Sequence, residues 1–132
     1  MEIDNSFAKE HIDRWTKAWN EHDLKDILSH YSEKILFHSP KVKLVYPNRT
    51  SITITNKKDL EEYFSLGLKK FPNLQFVPVE YFLKDHIVIF EYKGTPDNKI
   101  NWSVMEKFEF NGWIDRKIKC ILWHRILIKL QK

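Results

Sequence analysis

The sequence predicts an α+β domain in which helices come first and an antiparallel meander follows. Three observations carry that prediction. Three stretches within residues 4–71 place apolar residues three and four apart, each after a side chain suited to capping a helix. From residue 74 onward the chain changes to extended runs separated by turn signals. Within that half, 100–110 alternates cleanly, with Ile100, Trp102, Val104, Glu106, Phe108 and Phe110 on one face.

Asp4, Asn5 and Ser6 offer caps for a first helix whose apolar set is Phe7, Ala8, Ile12, Trp15, Ala18 and Trp19. After Asn20-Glu21-His22, Asp23 caps a shorter helix with Leu24, Ile27, Leu28 and Tyr31 on one face. Ile35–His38 reads as a short strand that Pro40 ends. Val42, Leu44 and Tyr46 alternate, which predicts a second short extended piece. Ile52 and Ile54 flank a brief strand. Asn56 caps a third helix to about Lys70, built on Leu60, Tyr63, Phe64, Leu66, Leu68 and Phe71, with Gly67 inside it to permit close packing. The strands 74–83 and 86–93 meet at the turn Lys84-Asp85. Asn111-Gly112 is a two-residue hairpin signal, since both positions tolerate positive φ, and a long last strand runs over 113–128.

Without repeats or linkers, residues 1–132 are read as one domain. Phe, Trp and Tyr make up 14% of the chain, which favours a wide core or a lined cavity. The net charge of +4 is spread along the chain, so no basic nucleic-acid face is expected. No stretch has the length of a membrane span, and the start carries no apolar leader. Cys120 is the only cysteine. A cytoplasmic location is therefore the expectation. The last strand and 86–92 are apolar on their second face, through Ile87, Ile89 and Ile121, and a homodimer through the outer sheet face would cover it.

Glu106 is the one acid on the apolar face of its strand. Such a carboxylate is either a paired structural charge or a pocket acid whose pKa burial has raised. The histidines show no ligand-spaced cluster with acids, and no glycine-rich loop is present, so neither a metal nor a cofactor is expected.

The segment Phe7-x7-Trp15-x3-Trp19-Asn20-x-His22-Asp23-Leu24-x2-Ile27-x3-Tyr31 resembles the opening helix pair of the SnoaL-like family, in the nuclear transport factor 2-like superfamily. Phe37-His38-Ser39-Pro40, Ile54-Thr55-Asn56-Lys57 and Phe108-x-Phe110-Asn111-Gly112-x-Ile114 continue the resemblance almost to the end of the chain. Asn56 stands where the family usually has Gly, and Asn can still cap the helix. The resemblance implies one SnoaL-like domain shaped as a cone, with three early helices packed on a strongly curved, mainly antiparallel sheet around an apolar pocket. Members include ketosteroid isomerases, polyketide cyclases, limonene epoxide hydrolases, scytalone dehydratases and non-catalytic binding proteins.

Against ketosteroid isomerase, Ser39 stands at the position of the general base, Trp15 at that of the oxyanion-binding Tyr, and Phe64 at that of a supporting Tyr. Only Glu106 matches a carboxylic acid. The comparison therefore argues against classical steroid isomerisation. Trp15, Trp19, Ser39, Phe64, Phe90, Trp102, Phe108 and Trp123 are the candidate ligand contacts. Glu106 is the candidate catalytic acid, with His38 and His86 as weaker candidates because imidazole titrates near neutrality. The first functional expectation is a protein that binds a small apolar or aromatic ligand carrying an oxygen. The alternative is a cofactor-free isomerase, cyclase, dehydratase or hydrolase. That case gains if His38, His86 or Tyr92 lies within reach of Glu106. A protein-interaction module using the outer sheet is the third possibility.

Overall fold

Side-chain caps set where three of the helices begin. Asp4 accepts the backbone N–H of Phe7 at 2.8 Å, Asp23 that of Asp26 at 3.1 Å, and Asn56 that of Asp59 at 2.8 Å. Each satisfies a donor that the first turn leaves open. The protein is described by a computed structural model covering residues 3–97, 100–110 and 117–130, with the backbone alone for 119, 120 and 122–130. The expected hairpin turn at Asn111-Gly112 and the start of the last strand at Trp113 lie outside the described residues.

The elements are α1 (Asn5–Asn20), α2 (Leu24–Ser29), β1 (Tyr31–His38), α3 (Val42–Val45), β2 (Thr53–Ile54), α4 (Lys57–Lys70), β3 (Gln75–Lys84), β4 (Ile87–Thr95), β5 (Ile100–Phe110) and β6 (Ile118–Leu130). The strands form one six-stranded sheet in the order β2-β1-β6-β5-β4-β3. Only β1 and β6 run parallel; the other neighbours are antiparallel. The α+β class and the mainly antiparallel sheet agree with the sequence.

Three local expectations are overturned. Ile121 pairs with Phe108 and is fully buried on the inner face rather than placed on the outer one. Tyr31 opens β1 instead of closing α2, which ends at Ser29. Val42, Leu44 and Tyr46 do not form an extended piece, because Val42–Val45 is a helical turn. Ser39 and Pro40 explain it. The Ser39 hydroxyl accepts the N–H of Lys41 at 3.1 Å, and the Ser39 carbonyl accepts that of Val42 at 3.1 Å. Pro40, with its fixed φ and no donor, suits the opening of a turn. The alternation of three apolar residues was too short to outweigh that local start.

The core lies between the helices and the inner face of the sheet. On β5 the alternation holds: Trp102, Val104, Glu106, Phe108 and Phe110 are buried, and their neighbours are half-buried. Asn20, at the end of α1, ties that helix to β3. Its side-chain N–H donates to the Phe76 carbonyl at 2.9 Å, and its oxygen accepts the Phe76 N–H at 2.7 Å. This clamp fixes Trp19 beside Phe76, with ring centroids 5.5 Å apart.

The two described glycines of the core region have opposite roles. A Cβ at Gly67 would meet Val45 at an ordinary 4.0 Å, so close packing does not require glycine there. A Cβ at Gly94 would lie 3.0 Å from Phe76 and 3.1 Å from Trp102. In chemical denaturation, Gly67→Ala is expected to stabilise by about 1 kcal/mol through helix propensity, and Gly94→Ala to destabilise by about 1–3 kcal/mol through overpacking. Equal effects from the two substitutions would contradict this assignment.

Candidate functional site

Aromatic side chains from α1, α4, β3, β4 and β5 converge on a cavity that Glu106 reaches from β5. The empty volume of the cavity is about 550 Å³, the open mouth included. Trp15, Trp19, Phe64, Phe76 and Trp102 form most of the apolar wall. The polar groups are few: Tyr31, Tyr63, Tyr92, Lys41 and Glu106. A small polar set in an apolar concavity is the usual make-up of a small-molecule site.

Sheet register explains the central pair. Tyr92 faces Val104 and Phe90 faces Glu106 across β4 and β5, so Tyr92 and Glu106 are diagonal neighbours on the inner face. Diagonal positions are within reach for long side chains, and the Tyr92 hydroxyl donates a hydrogen bond to Glu106 Oε1. Two bulges flank the pair. The register between β3 and β4 shifts between Pro78 and Glu80, and that between β5 and β6 shifts between Met105 and Glu106. Bulges bend a strand and re-aim its side chains, and they are frequent beside functional sites.

Glu106 is 3% exposed. Burial pushes its pKa up to about 7, against the pull of the Lys41 charge and the Tyr92 hydrogen bond, which favour the carboxylate. Burial and the Glu106 charge hold Tyr92, Tyr31 and Tyr63 well above the usual phenol range, so all three stay protonated donors. Trp15 Nε1 donates to the Tyr31 hydroxyl at 3.1 Å. Trp19 Nε1 is buried without a hydrogen-bond partner of good geometry among the described residues, although it lies close enough to the Tyr31 hydroxyl to favour its ionisation.

Lys41, on the turn that opens α3, sends its ammonium into the cavity. Its Nζ lies 4.9 Å from the ring centroid of Trp102, 5.4 Å from Phe76 and 6.0 Å from Tyr92. Cation–π attraction favours the charged form. Burial outweighs it and lowers the amine to about 8, with the Glu106 charge opposing the shift. The cavity therefore holds an acid and an amine that both titrate near neutrality.

The sequence-predicted residues do not all reach the cavity. Trp15, Trp19, Phe64, Trp102 and Glu106 line the cavity. Phe90 and Phe108 are buried behind its wall, with ring centroids 5.4 Å and 5.8 Å from Trp15. Ser39 is buried beneath the Lys41 turn, outside the lining. His38 Nδ1 pairs with Thr53 Oγ1 at 2.9 Å on the strand edge, and His86 sits in the β3–β4 turn, 3.6 Å from Glu109. Neither histidine lines the cavity. β4 starts at Ile87, so the alternation of that strand does not carry His86 inward, and its half-buried imidazole turns to Glu109. The Trp123 side chain lies outside the described residues. Lys41, Tyr31, Tyr63 and Phe76 were missed as site residues. A lysine directly after Ser-Pro was the available signal for Lys41, whereas Tyr92, named from the sequence as a possible partner of Glu106, does reach it. Among the described residues no group of three or more metal-ligating side chains occurs.

The family model of the SnoaL-like domain matches residues 12–119. The chain belongs to the SnoaL-like family. A SnoaL-like protein of unknown function from Burkholderia thailandensis is similar at 25% identity over 100% of both chains, with a TM-score of 0.79. A nuclear transport factor 2-like protein from Anabaena variabilis shares the fold at 16% identity and a TM-score of 0.70, over 94% of this chain and 87% of that one. TerC, co-crystallised with polyporic acid, shares it at 11% identity and a TM-score of 0.69, over 93% and 92%. No curated protein matches. The SnoaL-like fold expected from the sequence is thus the fold observed. No described helix is long and apolar enough to cross a membrane.

Proposed function

We propose that this SnoaL-like domain binds a small aromatic or apolar molecule carrying an oxygen, and that it receives this oxygen at the Tyr92–Glu106 pair. The observation that carries the reading is the position of that hydrogen-bonded pair inside an otherwise aromatic cavity. A ligand oxygen at Glu106 can accept from its protonated form or donate to its anion, since the carboxyl titrates near 7. TerC, which shares the fold and was co-crystallised with polyporic acid, is consistent with a small-molecule ligand.

A titration with benzyl alcohol tests this by proton–nitrogen NMR. The indole N–H signals of Trp15, Trp19 and Trp102 are expected to shift together. Benzyl alcohol should bind about tenfold more tightly than toluene, the worth of one hydrogen bond of about 1.5 kcal/mol. Glu106→Leu should erase that preference. Unmoved indole signals at the solubility limit of both compounds would refute the reading.

A second reading is cofactor-free proton-transfer catalysis of the isomerase, cyclase, dehydratase or hydrolase type. Its support is the direct contact of Tyr92 with Glu106 and the presence of Lys41 in the same cavity, since such catalysis needs two polar groups at one ligand. We read the chain as a single-domain cytoplasmic protein that pairs through its outer sheet face. The exposed Val77 and Phe82 on β3 support the pairing, and the lone cysteine fits a reducing compartment.

A further inference from the structure

We infer that Lys41 is a carbonyl-capturing amine, one that forms an imine with an aromatic or apolar aldehyde or ketone bound in the cavity. The inference rests on the small-molecule reading of the cavity and specifies the class of ligand oxygen as a carbonyl.

Three structural facts support it. The first is placement. Lys41 Nζ stands over Trp102, Phe76 and Tyr92, so a flat ligand entering among those rings brings its functional group to the amine. The second is the anchoring of the lysine backbone. The Ser39 hydroxyl holds the Lys41 N–H, and Val42 behind it is fully buried, so the side chain departs from a fixed point on the cavity wall. The third is an acid in the same cavity: Glu106 lines it together with Lys41 and is bonded to Tyr92.

The chemistry closes without any further reactant. The neutral Nζ attacks the carbonyl carbon, forming a C–N bond, and the C=O π electrons pass to oxygen. That oxygen takes a proton, and nitrogen loses one, giving a carbinolamine. Protonated Glu106 then donates to the carbinolamine hydroxyl. The C–O bond breaks, water leaves, the nitrogen lone pair forms C=N, and the resulting iminium returns its N–H proton to the Glu106 carboxylate. One amine and one carbonyl become one imine and one water, and nothing is oxidised or reduced. Desolvation of a lysine in an apolar pocket is a recognised route to such a nucleophile. With an amine pKa lowered from 10.5 to about 8, the neutral fraction at pH 7 is about 300-fold that of an ordinary lysine.

The test is reductive trapping of the intact protein at pH 7 with benzaldehyde and cyanoborohydride, followed by peptide mass mapping. Lys41 is expected to acquire the benzyl group far faster than the exposed Lys43 and Lys69, and benzyl alcohol should suppress this by competition. Lys41→Arg keeps a cation but cannot form the imine, so it should lose the fast adduct. If Lys41 is labelled no faster than Lys43 while benzyl alcohol still moves the tryptophan signals, the imine is overturned and the pocket stands. If benzyl alcohol moves none of those signals, both the pocket and the imine are overturned.

Discussion

Replacing Glu106 with Gln is expected to abolish a fall in stability between about pH 4.5 and 8. The carboxyl of Glu106 is raised from 4.5 to about 7 on folding. Between those values the folded chain holds a proton that the unfolded chain has released. Its stabilising contribution is therefore complete below pH 4.5 and is lost as pH rises through 7. At 1.36 kcal/mol per unit, the swing reaches about 3 kcal/mol by pH 8. Glu106→Gln has no such proton to lose. It also takes from Lys41 the charge that supports its ammonium, so the amine titrates lower still. Urea unfolding at pH 5, 6, 7 and 8 measures the effect. A parallel fall in wild type and variant would show that Glu106 is not the buried acid of the cavity.

A second expected result lies outside the cavity and has the opposite sign. His11 on α1 is 6% exposed and packed among Phe7, Phe108, Phe110 and His30, with ring centroids 6.1, 6.2, 4.8 and 5.2 Å away. Its Nε2 is buried with no hydrogen-bond partner among the described residues. Burial, with the charges of His30 and Arg14, lowers its pKa from 6.5 to about 3. Here the unfolded chain takes up the proton first, so stability present above pH 6.5 drains away as pH falls toward 3. The deficit at pH 4 is about 3 kcal/mol. His30 acts in the same direction, chiefly through burial. Glu10, Lys17, Asp26 and Lys117 line the groove at this end, and they are present in both proteins being compared. His11→Phe puts a phenyl ring among phenyl rings and removes the titration. It should lose about 3 kcal/mol less than wild type between pH 7 and pH 4, by the same urea method. An identical loss in both proteins would sink the assignment.

The parts of the site that were legible in the sequence are those set by periodicity. Alternation on β5 placed Glu106 and Trp102 inward, and the three-and-four spacing of α1 placed Trp15 and Trp19 on its buried face. The residues that escaped depend on a switch of period or on the ends of elements. Tyr31 fits the face of α2 by spacing, yet the chain leaves the helix at Ser29 and turns the tyrosine into the first strand position. Lys41 escaped because an alternating apolar triplet suggested a strand where Ser39 and Pro40 start a helical turn. His86 escaped in the other direction. Extending the β4 alternation by one residue would carry it inward, although the turn with Asp85 at φ 56° ends the pattern first. Periodicity fixes direction only inside an element, and the cation of this site sits at an edge.

That edge position bears on how such a site can change over evolutionary time. Glu106 belongs to a strand paired on both sides, and moving it would disturb two ladders at once. Lys41 belongs to the connection between β1 and β2, where α3 is four residues long. The acid is inherited with the scaffold, whereas the amine is carried by a replaceable insert. A descendant that exchanged 39–52 for another turn would keep its carboxyl and its aromatic walls and acquire a different chemistry opposite them.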